Sequence, residues 1–240
     1  MWVLCVPPAG GAAHLYRGWA SRLPPALGEA AVTLPGRGSR GGEPLAADAE
    51  AVVAELAHYV APLFDRPVVI FGHSMGALLA LDLARGLSAD GARRVAALVV
   101  AASEPPGHPP TPIPATDRVL ADQVRTWGGT VPELMADEEY LGEMLRVLRA
   151  DLDLVATRRD RPAPPLNCPV HVYLGEADVA TPVEPTVAGW AAQTAVGHAI
   201  RVFPGGHFFV QDVEDDVLAG LLADADAAVG GRLVGPRPGI

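Results

Sequence analysis

The sequence predicts an α/β fold: a mostly parallel sheet with helices on both faces and a helical segment inserted late in the chain. Three observations carry this. Short continuous apolar runs alternate with amphipathic or alanine-rich stretches of helical length, the pattern of strands buried on both faces. The run Pro67-Val68-Val69-Ile70-Phe71 leads through Gly72-His73-Ser74-Met75-Gly76 into a helical stretch, a strand–turn–helix unit. The alternation stops over residues 103–160 and then resumes.

Taken in order, Trp2–Val6 reads as a buried strand closed by Pro7-Pro8. A glycine turn, Ala9-Gly10-Gly11, precedes a short helix through Leu15, Tyr16 and Trp19. Ala30–Leu34 is a second strand, ending at Pro35-Gly36-Arg37-Gly38. Residues 47–61 are helical, because Val52, Val53, Leu56, Tyr59 and Val60 recur at helical spacing. Strand 68–72, helix 75–87 and the apolar strand Val95–Ala101 follow. Residues 103–114 contain six prolines, which suits neither helix nor strand. Residues 116–160 read as charged amphipathic helices, and the whole block at about 103–160 reads as a lid inserted over the strand ends. A strand at 169–174, a helix at 184–194, a strand at 199–203 and a helix near 210–228 complete a single domain over 1–229, and 230–240 reads as a disordered tail.

Composition narrows the function. The 240-residue chain has net charge −10, which argues against nucleic acid as a partner. All 18 basic residues are arginine, so lysine nucleophiles, Schiff bases and a P-loop lysine are excluded. Cys5 and Cys168 lie at or beside strands; two cysteines make neither a disulfide framework nor a zinc site, and read as reduced core thiols of a cytoplasmic protein. No run of about 20 apolar residues is present, and the N-terminal apolar stretch is too short for a signal peptide. No metal site is expected.

The elbow makes Ser74 the candidate nucleophile. Glycines flank it because a sharp strand-to-helix turn leaves no room for Cβ atoms. A serine needs a base, and the base an orienting acid. His207, in Phe203-Pro204-Gly205-Gly206-His207-Phe208-Phe209, follows the last strand and is the preferred base. Asp178, in Gly175-Glu176-Ala177-Asp178, is the preferred acid; Glu104, after the strand at 95–101, is the alternative. The order Ser74, Asp178, His207 is similar to that of α/β-hydrolases. The oxyanion would be held by the backbone N–H of Met75 and by one from Ala9 or Gly10. His14, His73 and Phe208 are expected near the substrate, with a packing role competing for His73.

Beyond the fold, the chain resembles the type II thioesterases of polyketide and nonribosomal peptide assembly lines. The resemblance rests on Pro8–Gly11 with Tyr16-Arg17 and Trp19, on Leu34–Gly38, and on the elbow with Ala77-Leu78. It continues through Trp127–Thr130 with Pro132-Glu133-Leu134, Leu148-Arg149-Ala150-Asp151, Cys168-Pro169-Val170, Gly175–Asp178 and Phe203–Phe209. It implies hydrolysis of acyl groups from the phosphopantetheine thiol of an acyl or peptidyl carrier protein, through an acyl-enzyme on Ser74, with no further cofactor. It also implies a lid over a shared acyl and pantetheine channel. Release of a finished product, or hydrolysis of a small ester or lactone, would use the same residues; a non-catalytic scaffold would not need them. Pro8 and His14 depart from the family pattern at the expected mouth. An acidic enzyme docking an acidic carrier needs a local basic patch, for which Arg17, Arg37 and Arg40, or Arg158, Arg159 and Arg161, are candidates. A monomer is expected.

Overall fold

A computed structural model describes residues 1–88, 95–108, 112–128 and 132–233. Among them six strands form one parallel sheet: β1 (Trp2–Val6), β2 (Gly28–Ala31), β3 (Val68–His73), β4 (Val95–Ala101), β5 (Val170–Gly175) and β6 (His198–Phe203), in the order β2-β1-β3-β4-β5-β6. The helices are α1 (Trp19–Arg22), α2 (Ala49–Val60), α3 (Met75–Ser88), α4 (Asp117–Trp127), α5 (Pro132–Met135), α6 (Glu138–Thr157), α7 (Val183–Ala191), α8 (Phe209–Asp212) and α9 (Glu214–Ala228).

Alternate strand residues point to opposite faces, and each face has its own core. Leu4, Val6, Ile70, Val100 and Val172 face α2, α3 and Trp190 of α7. Val3, Cys5, Phe71, Val99 and Tyr173 face Trp19 of α1, Phe209 of α8 and Leu221 of α9. Both cysteines are buried free thiols. A third cluster joins α4, α5 and α6 through Leu120, Val124, Met135, Leu145 and Leu148, and Ala9 of the sheet domain packs against it. No helix among the described residues is long and apolar enough to cross a membrane.

Several boundaries differ from the sequence expectation. The second strand lies at Gly28–Ala31 rather than 30–34. Its partner β1 ends at Pro7-Pro8, which lack N–H groups, so pairing stops once Val32 N–H reaches the Cys5 carbonyl. Tyr59 does not share the buried face of α2; it is 67% exposed. Gly18, at φ +97°, separates a 3-10 turn at Ala13–Tyr16 from α1 where one helix was expected. Val213 similarly breaks the last helix into α8 and α9. Of the expected tail, Leu233 N–H bonds the Asp226 carboxylate, while residues 234–240 lie outside the described residues. So do Gly129–Val131 of the glycine-rich insertion motif.

The strand order reverses between β1 and β3. Their C-terminal ends therefore open the crevice in which doubly wound sheets bind ligands. The Ala9 loop leaves β1 at that crevice and Ser74 leaves β3.

Candidate active site

Ser74 sits between β3 and α3 at φ +54°, a left-handed conformation that a side chain tolerates only when its surroundings enforce it. Its N–H bonds the Ala101 carbonyl at 2.8 Å, and its own carbonyl receives the Ala77 N–H at 2.9 Å. A Cβ on Gly72 would overlap the Gly76 carbonyl, and one on Gly76 would overlap the Val6 carbonyl of β1. Those two close approaches are why the G-x-S-x-G spacing uses glycine here.

The histidine and aspartate loops are sewn together. Ala177 N–H bonds the Gly205 carbonyl and Glu176 N–H the Phe203 carbonyl, each at 2.9 Å. A Cβ on Gly175 would overlap the Gly206 carbonyl. This juxtaposition sets His207 between its two partners. Its Nε2 lies 3.0 Å from Ser74 Oγ and its Nδ1 2.9 Å from Asp178 Oδ2. In the tautomer with hydrogen on Nδ1, Ser74 donates to His207 and His207 donates to Asp178.

Asp178 is 8% exposed and accepts two further bonds, from Ala180 N–H at 3.0 Å and Thr181 Oγ1 at 2.9 Å. Burial works to raise its pKa, but the hydrogen bonds and the nearby imidazole outweigh burial and hold it below the usual aspartate value. Glu104 does not reach His207. It pairs with His108 at 2.8 Å, and burial raises its pKa. The geometry therefore places Asp178, not Glu104, on the imidazole.

Of the two alternatives for the loop donor, the structure separates Ala9 from Gly10. Gly10 N–H is occupied by Asp151 Oδ2 at 2.8 Å. The N–H groups of Ala9 and Met75 bond no acceptor among the described residues, and both residues line the cleft beside Ser74. That cleft encloses about 200 Å³. Leu78, Leu152 and Val155 form an apolar wall, and Ser103, Glu104 and His108 a polar one.

Three residues expected near the substrate do not line that cleft. His14 is exposed on the 3-10 turn and does not line the cleft. His73 is fully buried; its Nε2–H bonds the His207 carbonyl at 2.9 Å, and burial pushes its pKa down to about 3. It steadies the histidine loop from behind. Phe208 makes edge contacts with both imidazoles, at 5.5 Å between centroids, and does not line the cleft.

The proposed basic patches are largely spent on internal pairs. Arg37 is 7% exposed and clamps the Asp151 carboxylate. Arg158 pairs with Asp82 at 2.7 and 2.8 Å and also with Asp160. Arg40 pairs with Glu43 and Glu55, and Arg161 with Glu50. Arg17 and Arg159 are exposed and form no ion pair among the described residues. Sequence reasoning missed Thr181, and it noted Trp127 only as part of a motif, without a place beside His207. Trp127 of α4 lies over the His207 ring at 6.5 Å, a contact across 80 residues that no local pattern announces. Among the described residues no group of three or more His, Cys, Asp or Glu is placed to hold a metal ion.

Parallel sheet, strained serine elbow and histidine-bridged carboxylate together define an α/β-hydrolase. Within that class the chain belongs to the thioesterase family: the Thioesterase domain model matches residues 2–223. RedJ, a thioesterase of the prodiginine pathway of Streptomyces coelicolor, is 33% identical, superposes with a TM-score of 0.87, and is covered to 90% by 93% of this chain. BorB, the type II thioesterase of the borrelidin cluster, is 32% identical with a TM-score of 0.84, over 93% of this chain and 92% of that one. The AMB antimetabolite synthetase AmbE of Pseudomonas aeruginosa is 34% identical over 221 residues, which are 90% of this chain but 10% of that protein. The chain is thus a thioester hydrolase of the kind found in secondary-metabolite pathways.

Proposed function

We propose that this enzyme removes acyl groups from the phosphopantetheine thiol of acyl or peptidyl carrier protein domains, clearing stalled or misprimed chains. The observation that carries the reading is the continuous array Ser74–His207–Asp178, of which Ser74 and His207 line the cleft. Similarity to RedJ of the prodiginine pathway and to the type II thioesterase BorB of the borrelidin cluster supports the carrier-bound substrate.

In this reading Ser74 Oγ attacks the thioester carbonyl carbon while His207 Nε2 takes its proton. The carbonyl oxygen becomes an oxyanion facing the N–H groups of Ala9 and Met75, each such donor contributing about 2.7–4 kcal/mol in the transition state. The tetrahedral intermediate collapses, the C–S bond breaks, and the imidazolium returns the proton to the pantetheine sulfur. Water then enters; His207 takes one of its protons as the oxygen attacks the acyl-enzyme. Ser74 leaves with that proton, and a carboxylic acid is released. Asp178 holds the imidazole in the required tautomer and stabilises its charged form. Every step uses a side chain or a backbone N–H, with neither metal nor organic cofactor.

The test is incubation with carrier proteins loaded with short and long acyl chains, with free holo carrier read by intact mass. Release should fall by several orders of magnitude in Ser74→Ala, since members of such an array act as a unit. No release from any carrier, with Ser74 still labelled by a fluorophosphonate, would redirect the assignment to a small ester or lactone.

A further inference from the structure

We propose that Asp151 on α6 is a positioning residue for the oxyanion loop, so that catalysis depends on how this helix is seated. The inference rests on the reading above, in which the Ala9 N–H faces the oxyanion.

The loop between β1 and the 3-10 turn has few ways to hold its shape. Pro7 and Pro8 have no N–H to anchor. Gly11 N–H closes a local turn on the Pro8 carbonyl at 2.9 Å. Gly10 sits at φ +75°, where glycine alone rests easily, and its N–H reaches outside the loop, 2.8 Å to Asp151 Oδ2. The Gly10 N–H belongs to a rigid peptide plane joined to Ala9 through one pair of dihedrals. Fixing that plane restricts where the Ala9 N–H points.

Asp151 is itself fixed. It is 1% exposed, its Oδ1 receives Arg37 Nη2 at 2.6 Å, and Arg37 Nη1 bonds Oδ2. One turn earlier on α6, Leu148 supplies the wall: its Cβ lies 3.7 Å from where a Gly10 Cβ would stand. A single turn of α6 therefore packs against the loop and hydrogen-bonds it. The acceptor is 141 residues away in sequence from the N–H that it holds.

The experiment uses the full chain with an acyl-N-acetylcysteamine thioester as substrate. A trifluoromethyl ketone that forms a hemiketal oxyanion on Ser74, and the matching unreactive thioether, serve as ligands. Arg37→Met with Asp151→Leu removes the strut without leaving a buried charge alone. The expected result is a folded protein whose kcat falls roughly 10²-fold with KM within about twofold, a loss of the size seen for a displaced oxyanion donor. Ketone affinity should fall by a similar factor while thioether affinity holds. In Arg37→Met with Asp151→Asn the amide oxygen can still accept from Gly10 N–H, so kcat and ketone affinity should return to within a few-fold of wild type. Equal kcat and ketone affinity in the Leu and Asn double variants overturns the proposal, as does a roughly 10²-fold loss of kcat in a folded Asn variant should the Leu variant not fold. Equal loss of ketone and thioether binding in both variants overturns it as well, since that marks a general structural defect. If the ketone binds wild type and Ser74→Ala equally, the underlying site assignment fails instead.

Discussion

Asp178 and Glu104 are both carboxylates near the ends of neighbouring strands, and hydrogen bonds separate their roles. Asp178 accepts from His207, Ala180 and Thr181; Glu104 instead lies against His108, 2.8 Å away. Asp178→Asn should lower kcat about 10³–10⁴-fold by favouring the wrong imidazole tautomer, while Glu104→Gln should stay within a few-fold. Steady-state kinetics on both variants checks this, and a crippled Glu104→Gln would reverse the assignment. His73 makes a different prediction. Burial, reinforced by the neighbouring His207, keeps it neutral with a pKa of about 3, against about 6.5 in an unfolded chain. The unfolded state therefore binds the extra proton as pH falls. The stability this group contributes is complete above pH 6.5 and is lost progressively toward pH 3. Between pH 6.5 and 5 that loss is about 2 kcal/mol. Urea unfolding of His73→Gln should show a correspondingly smaller drop over this interval; an identical drop would exclude His73 as the source.

At the scale of elements, α6 belongs to two parts of the protein. Its first half packs with α4 and α5 through Leu145 and Leu148. Its second half is built into the main core. Leu154 is 1% exposed against the sheet side, and Arg158 at the helix end grips Asp82 of α3. These anchors place the end of the 103–160 block in contact with the main core. Leu154→Ala should cost about 2–5 kcal/mol, the range for a fully buried leucine, and Leu141→Ala on the outer half distinctly less. Urea midpoints of the two variants decide it; equal and small costs would mean that α6 is not anchored at its second half.

For the whole molecule the dominant electrostatic fact is a net charge of −10 in which most candidate docking arginines are already paired. Reversing Arg158 would break a pair whose arginine side chain is 5% exposed and would damage the fold before it tested docking. Arg17 and Arg159 are the informative pair. Arg17→Glu with Arg159→Glu should leave thermal unfolding unchanged and reduce kcat/KM on an acyl carrier protein several-fold at low salt. The deficit should shrink as ionic strength rises, because long-range attraction is screened. A salt-independent deficit, or none, removes these two residues from docking.

What was legible in the sequence was whatever a few neighbouring residues determine. Continuous apolar runs mark strands buried on both faces, and a glycine-flanked serine marks a turn with no room for side chains. Those local rules placed Ser74, Asp178 and His207 at the ends of strands in a parallel sheet. Tertiary structure decided which polar groups pair across the chain. Arg37 reads as a free surface cation until α6 brings Asp151 against it. Gly10 reads as an available donor until that same carboxylate takes its N–H. His73 reads as a packing residue or a substrate neighbour until β3 buries it behind the His207 loop. Hydrogen bonds and ion pairs act over about 3 Å, and the partners here lie more than 100 residues apart, so only the folded chain could choose between the alternatives.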